Sequence, residues 1–223
     1  MSQLAPLPQP LVIYPDDAAE YLERMGLRVA QIDEAIATGE NASGNTSRYA
    51  PVIAAGINRW TNTVAMLRQR LTEDGDWTHT DPQNRPIAVD PTGKYQISVA
   101  GGNNATGNPD PLVVPQAARR KGRATADSVD RNQQVLFALG DLSKIDQPLS
   151  SSEQPPSGAW VLLYHRAEGE IRRELSRPSG FDRQLGQFTG WDVRVILAPL
   201  QDDTVLEPNI TDIGGGDVDF NIA

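Results

Sequence analysis

The feature that most constrains the fold is a run of three strand-like segments between residues 159 and 199. The first segment reads AWVLLYHR, a continuous apolar run typical of a buried strand. The second reads IRRELSRP, in which Ile171, Arg173 and Leu175 alternate, and the third reads GWDVRVILAP. Because short turn sequences can separate these segments, the pattern predicts a three-stranded antiparallel meander.

The N-terminal part of the chain predicts a helical unit. Its clearest helix begins near Pro51, because apolar residues then recur at steps of four and three along one stripe. The residues of this stripe are Ile53, Ile57, Trp60, Val64, Leu67 and Leu71. Two shorter helices precede it, one ending at Gly26 and one ending at Gly39. Residues 40–50 then read as a polar loop.

The middle of the chain predicts a β-hairpin followed by a helix. Alternating apolar residues flank the turn sequence DPTG within residues 85–100. Thr125 is suited to cap a helix that runs to about Leu139. The predicted fold class is therefore α+β, with an N-terminal helical unit, a central hairpin plus helix, a C-terminal meander and an acidic tail.

Composition divides the chain into four regions. The helical unit and the hairpin–helix region occupy 1–140, and a Pro- and Ser-rich linker at 141–158 separates them from the meander at 159–199. The acidic tail occupies 200–223; it contains six acids and no Lys or Arg, in a chain of net charge −9. We interpret the tail as a solvated end or as an arm that docks on a basic partner. The pattern leaves open whether these regions pack as one domain and whether the two β units form one sheet.

Composition also excludes several classes of site. The chain has no cysteine, which excludes disulfides, thiolate metal sites and Cys nucleophiles. No stretch approaches the length of a membrane span and the N-terminus does not resemble a signal peptide, so we expect no membrane partner and a cytoplasmic location. His79 and His165 have no paired spacing, so we expect no metal site and no cofactor.

Two segments are candidates for binding phosphate groups. The first is a basic cluster before and along the predicted fourth helix, and its residues are Arg119, Arg120, Lys121, Arg123 and Arg131. Several such charges can neutralise nucleic-acid phosphates. The alternatives are a solvated basic loop or a dock for the acidic tail. The second segment is a Gly-rich loop after the hairpin, with Gly101, Gly102, Thr106 and Gly107 as candidate residues. It matches no established phosphate motif, and an ordinary loop is its alternative.

Carboxylates give no clear catalytic set. A metal-dependent nuclease needs two or three acids that converge on a cation. Asp90, Asp127 and Asp130 are available, but they show no diagnostic spacing. Asp90 is also explained as a turn residue and Asp127 as a charge in the first turn of a helix. We therefore assign no catalytic residue.

The C-terminal unit resembles a family of bacterial proteins to which no activity is assigned. The residues that carry the resemblance are Trp160 to Arg166, Ile171 to Ser176, Trp191, Arg194, Ile196, Leu197 and Pro199. Similar features upstream are the helix RWTNTVAMLRQRL, the segment from Lys121 to Thr125, and Asn132 with Gln133. The resemblance covers about residues 50–199. It implies a bacterial, cytoplasmic setting, among accessory genes of mobile elements.

The leading functional hypothesis is a non-enzymatic protein-interaction protein of a bacterial multi-component or mobile-element system. It rests on the missing catalytic set, the uneven charge and the long polar loops. One alternative is a nucleic-acid-binding protein or metal-dependent nuclease that uses residues 119–123. Another is a nucleotide-binding enzyme that uses the loop at 101–107.

Overall fold

The structure, a computed structural model, describes residues 9–138 and 154–201, except for the side chains of 134–138. The predicted linker up to residue 153 and the predicted acidic tail beyond residue 201 lie outside the described residues. So does the predicted end of the fourth helix at Leu139.

The described residues form four α-helices and one seven-stranded mixed sheet, which confirms the predicted α+β class. The helices are α1 (Pro15–Glu23), α2 (Val29–Gly44), α3 (Ala54–Gly75) and α4 (Arg123–Ala138), with a short 3₁₀ helix at Pro82–Asn84. The strands are β1 (Leu11–Ile13), β2 (Thr78–Thr80), β3 (Ile87–Val89), β4 (Tyr95–Gly101), β5 (Gly158–Ala167), β6 (Glu170–Asp182) and β7 (Gln187–Gln201). No helix in the described part of the chain is long and apolar enough to cross a membrane.

The strand order is β1-β7-β6-β5-β4-β3-β2, so the central hairpin and the C-terminal meander share one sheet. β5, β6 and β7 pair antiparallel in sequence order, which is the predicted meander. β4 pairs parallel with β5, and α4 lies in the connection between them. A parallel neighbour requires such a crossover because the chain must return to the same end of the sheet. β1 pairs parallel with β7 at the far edge.

The two faces of the sheet are covered by different parts of the chain. One face packs against α1, α2 and α3 and contributes apolar side chains from β4 to β7 to a large core; among them are Ile97, Leu162, Leu175 and Val195. The other face packs against α4 and the segment between β4 and α4. Its apolar cluster is smaller and includes Val129, Leu163, Phe188 and Trp191.

Helix α2 is longer than predicted. Gly39 does not end it; the helix continues to Gly44, so the predicted polar loop at 40–50 is partly helical. A Cβ at Gly39 would lie 2.6 Å from the carbonyl oxygen of Arg59 and 2.0 Å from the Thr63 hydroxyl on α3. The glycine is therefore present because two helix backbones approach closely there, and a stop signal and a packing signal look the same in the sequence.

The predicted stripe of α3 is only partly buried. Val64, Leu67 and Leu71 lie in the core, and Trp60 packs against it. Ile53 and Ile57 are 43% and 42% exposed, so these two members of the predicted stripe lie outside the core. The helix begins at Ala54, so Ile53 precedes it. Thr125 also differs from its predicted role, because α4 begins at Arg123 and Thr125 lies inside the first turn.

Candidate functional site

The Gly-rich loop is held by bonds within the protein. The backbone N–H of Gly102 donates to the carbonyl oxygen of Tyr164 at 2.8 Å, and the N–H of Gly107 donates to the Glu174 carboxylate at 2.9 Å. The Thr106 N–H donates to Asn103 at 3.0 Å. Gly101 belongs to β4. Because these N–H groups are already engaged, they do not converge on a common ligand position, and the phosphate-loop hypothesis stays a prediction without support from this geometry.

The loop is attached to the sheet by a fully buried ion pair. Arg194 on β7 and Glu174 on β6 are joined at 2.6 Å, and neither side chain has solvent exposure. Arg194 also donates to the carbonyl oxygens of Asn108 at 2.9 Å and Val113 at 3.0 Å. Glu174 accepts a further bond from the Ser176 hydroxyl at 2.8 Å. A buried charge pair is tolerated only when its remaining donors and acceptors are satisfied, and here the loop satisfies them.

The predicted basic cluster lies beside the turn between β6 and β7. The Lys121 N–H donates to the carbonyl oxygen of Gly186 at 2.9 Å, and the Arg120 guanidinium donates to that of Gln184. Lys121 is buried, whereas Arg120, Arg123 and Arg131 are exposed and Arg119 is half-buried. The five cations therefore do not form one continuous exposed surface.

Acidic residues lie among these cations. Asp127 is 2.8 Å from Arg183 and 3.5 Å from Arg123, and Asp130 is 2.6 Å from Arg183. The hydrogen bond from Arg183 lowers the pKa of Asp127, and the same carboxylates raise the pKa of Arg183. The local charge is thus mixed, which reduces the attraction for a polyanion.

The other candidate side chains, Asp90, His79 and His165, lie apart from one another in separate surroundings. Asp90 accepts hydrogen bonds from the N–H groups of Thr92 at 3.0 Å and Tyr95 at 2.5 Å, which is the turn role expected for it. His165 Nδ1 lies 3.2 Å from the carbonyl oxygen of Gly102, and His79 is exposed on an edge strand. Within residues 9–138 and 154–201, no group of three or more His, Cys, Asp or Glu residues is placed to hold a metal ion.

A small cavity lies at the edge of β4, near the N-terminus of α4. Its volume is about 30 Å³, and the polar side chains in its wall are Arg85, Ser98, Lys121 and Thr125. Trp60 completes the wall on the α3 side, with its indole N–H donating to the carbonyl oxygen of Val99 at 3.1 Å. Lys121 was a candidate from sequence. Arg85 was not, because it stands alone in a polar stretch and its neighbours in the cavity come from distant segments.

A second and more open cavity, of about 350 Å³, lies where the Gly-rich loop meets the ends of β6 and β7. Its wall includes Gly107, Pro109, Leu197 and the ion pair of Glu170 with Arg172, whose charged atoms are 2.5 Å apart. The pair neutralises the only charges in the wall among the described residues. This cavity therefore offers shape without a distinct charge preference.

The most exposed apolar surface lies at the turn between α2 and α3. Tyr49 is 81% exposed and Val52 is 64% exposed, and Ile53 and Ile57 continue the surface onto the first turn of α3. The Arg48 guanidinium stands 4.8 Å from the centre of the Tyr49 ring. We name residues 48–57 the interhelix patch. The sequence does not predict this patch, because an apolar stripe along a helix does not show which of its residues are left exposed.

Comparison with known proteins identifies no relative of this chain. The chain matches no protein-family model, no curated protein and no solved structure.

Proposed function

We propose that this protein is a non-enzymatic interaction protein that binds another protein through the interhelix patch. The observation that carries the proposal is the grouping of Tyr49, Val52, Ile53 and Ile57, all exposed, within one short segment. Single exposed apolar residues are ordinary on protein surfaces, whereas a contiguous group marks an interaction site. Tyr and large aliphatic side chains are also suited to act as anchors in a partner's pocket.

The patch is held in shape before binding. Asn58 donates to the Thr46 hydroxyl at 2.9 Å across the turn. The N–H of Ala50 donates to Ser47 at 2.9 Å, and the N–H of Ala54 donates to Pro51 at 2.8 Å. A preformed surface loses little conformational entropy when it binds, so these bonds favour association.

The expected partner is a protein with an apolar groove and a carboxylate at its rim. Arg48 contacts Tyr49 through the ring and through a hydrogen bond to the hydroxyl, and no carboxylate within residues 9–138 and 154–201 pairs with it. In a chain of net charge −9, an exposed cation at the edge of an apolar surface favours an acidic rim on the partner. The proposal includes the setting that the family resemblance implies, in which the protein acts in the bacterial cytoplasm as part of a multi-component or mobile-element system.

Site-specific photocrosslinking tests the proposal. A photoreactive amino acid replaces Val52 in the source cells, and the expected result is one discrete crosslinked protein. The mapped contact should lie in an apolar segment next to Asp or Glu. Ile53→Asp and Arg48→Glu should each remove this crosslink. Ile53→Asp leaves the core intact, so its thermal unfolding should match that of the parent protein.

The matched control is Leu112, another exposed apolar residue, on a different loop. The photoreactive group at this position should not give the same product. An identical product at Leu112, or a Val52 product that survives Ile53→Asp, would contradict the proposal. The crosslink could instead join two copies of this chain, and sedimentation would then show a dimer. That result would mean that the patch mediates self-association and does not bind a different protein.

Nucleic-acid binding is the second candidate function. It is favoured by the exposure of Arg120 and Arg123 at the start of α4 and of Arg131 further along the helix. Fluorescence anisotropy with labelled single- and double-stranded DNA and RNA, with and without magnesium, tests both binding and the nuclease alternative. Binding that weakens steeply with salt and disappears when the three arginines become Ala would support it. No binding at low salt would contradict it.

A further inference from the structure

We propose that two copies of this chain associate through the segment between β4 and α4, with Leu112 of each copy entering the second cavity of the other. This inference does not depend on the interhelix patch, which lies on a different segment of the chain. It assigns a role to an exposed apolar turn and to a cavity that the proposed function does not use.

The first part of this surface is a turn at 110–113 that exposes a large apolar side chain. Leu112 stands at its tip and is 74% exposed, and the nearby Val114 is 41% exposed. Association that buries such side chains is favourable because apolar surface is removed from water. The turn is therefore suited to project Leu112 into a recess on a partner.

The turn is held in one shape by hydrogen bonds within the chain. The N–H of Val113 donates to the carbonyl oxygen of Asp110 at 3.0 Å, and the N–H of Leu112 donates to the Asp110 carboxylate at 2.9 Å. From β7, the Arg194 guanidinium donates to the carbonyl oxygens of Asp110 at 3.4 Å and Val113 at 3.0 Å. Because the turn is fixed in advance, its backbone loses little conformational freedom when Leu112 is bound.

The ion pair of Arg194 with Glu174 indicates that the shape of this turn matters. A buried ion pair often contributes no more stability than apolar residues of the same volume would. Here both charged side chains are fully buried, and Arg194 also donates to backbone carbonyls at 108, 110 and 113. The desolvation cost of this arrangement is explained if the pair fixes a surface that another molecule contacts.

The second part of the surface is the second cavity, which has Asn108 and Pro109 in its wall. Its volume of about 350 Å³ exceeds the roughly 150 Å³ that is enough to hold benzene, which is larger than a leucine side chain. Pro109 and Pro199 supply apolar surface, and the charges of Glu170 and Arg172 neutralise each other. An apolar side chain therefore fits this cavity both in size and in polarity.

The exposed leucine and the cavity of one chain belong to one small surface. Leu112 follows the wall residue Pro109 by three positions, which limits the distance between their Cα atoms to about 11 Å. Leu112 nevertheless remains exposed, so it does not fill the cavity of its own chain. A surface that carries both a projection and a matching recess is self-complementary, and a two-fold axis between them forms both contacts at once. The favoured occupant is therefore a second copy of the chain.

Sedimentation velocity of the full chain over a series of concentrations tests the proposal. The parent protein should show a reversible monomer–dimer equilibrium. Leu112→Glu should raise the dissociation constant at least about tenfold, because it places a charge against the apolar cavity wall. Pro199→Arg should have the same effect from the cavity side. The matched control is Ile53→Asp in the interhelix patch, which should leave the dimer intact.

A mixture of the two interface variants distinguishes this contact from general damage to the surface. Leu112→Glu mixed with Pro199→Arg should restore a dimer, because one contact then joins opposite charges and the other keeps the native leucine and cavity. Both positions are exposed, so the thermal unfolding of each variant should match that of the parent protein. The chain has a net charge of −9, so added salt should strengthen the dimer or leave it unchanged.

Several results would overturn the proposal. One is a parent protein that stays monomeric over the whole concentration series. Others are a dimer that Leu112→Glu leaves unchanged, and a dimer that Ile53→Asp removes, which would place self-association at the interhelix patch. A ladder of larger species would also overturn it, because that result indicates an open head-to-tail contact and not a reciprocal one.

Discussion

The two faces of the sheet are stabilised by different interactions, although they alternate along the same strands. On β6, Leu175 is fully buried against the three N-terminal helices, in a core of Leu, Ile and Val. Its neighbour Glu174 is equally buried on the opposite face, where it pairs with Arg194. The first face depends mainly on apolar area, which has no directional requirement. The second adds to its smaller apolar cluster a buried ion pair, whose hydrogen-bond geometry is strict.

The difference explains why both candidate loops lie on one side. Backbone segments without regular structure need partners for their N–H and C=O groups when they are buried. The α4 face supplies such partners through Arg194 and Glu174. The opposite face is covered mainly by α1, α2 and α3, whose backbone groups are satisfied internally.

The largest effect should come from breaking the ion pair on the polar face. Glu174→Gln leaves the Arg194 charge buried and should lower the free energy of unfolding by about 3–5 kcal/mol. Urea denaturation measures it. The double variant Glu174→Leu with Arg194→Met is the control: it should regain part of this loss but release the loop carbonyls, so limited proteolysis near Asn108 should increase. A Glu174→Gln loss below about 1 kcal/mol would show that the two faces do not differ as described.

On the apolar face, stability should depend on the volume of the buried side chain. Leu175→Ala, one residue along β6, should cost about 3 kcal/mol through lost transfer energy and a residual cavity. Leu175→Met conserves volume and should cost less than about 1.5 kcal/mol. In both variants, proteolysis near Asn108 should remain as in the parent protein. Increased cleavage there would mean that the two faces are coupled.

A neutral polar contact on the α4 face should have an intermediate effect. Asn132 accepts from the N–H of Ala159 at 2.7 Å and donates to the carbonyl oxygens of Ala159 at 3.0 Å and Pro178 at 3.2 Å. Asn132→Ala leaves these buried groups unsatisfied and should cost about 1–3 kcal/mol. Gln133→Ala, at its exposed neighbour, should change stability by less than about 0.5 kcal/mol. Equal losses at both positions would show that the buried hydrogen bonds of Asn132 are not the cause.

The smallest effect is a difference in pH dependence between two acids, Asp192 on β7 and Asp127 on α4. Burial raises the pKa of Asp192, beside Arg177, whereas the hydrogen bond from Arg183 lowers the pKa of Asp127. The folded state therefore binds the Asp192 proton more tightly than the unfolded chain does, and the Asp127 proton less tightly.

Between about pH 7 and about pH 4, the stability of the parent protein relative to Asp192→Asn should rise as the pH falls through the raised pKa. Relative to Asp127→Asn, the contribution is present above the unfolded pKa of Asp127, and it should be lost as the pH falls further through the lowered one. Urea denaturation at several pH values measures both differences. Profiles of the same sign would contradict the assignment.

Much of the fold could be predicted from local patterns, and the candidate sites could not. The alternation around Leu175 and the turn at Asp90 predict strands and a hairpin because both depend on adjacent residues. The cavity cations come from segments that meet only after β3, β4 and α4 have packed. The role of Gly39 and the exposure of Ile53 could not be predicted for the same reason, since both depend on how the helices pack.

The parallel pairing of β1 with β7 has a consequence for how the molecule forms. The pair joins Leu11 with Val193, so almost the whole described chain lies between the partners. During synthesis, β1 emerges well before β7, which is its strand neighbour among the described residues. The edge cannot close until β7 has been made, and contacts of such long sequence separation slow folding. We expect nascent chains that lack β7 to expose Leu11–Ile13, where a chaperone can reach it.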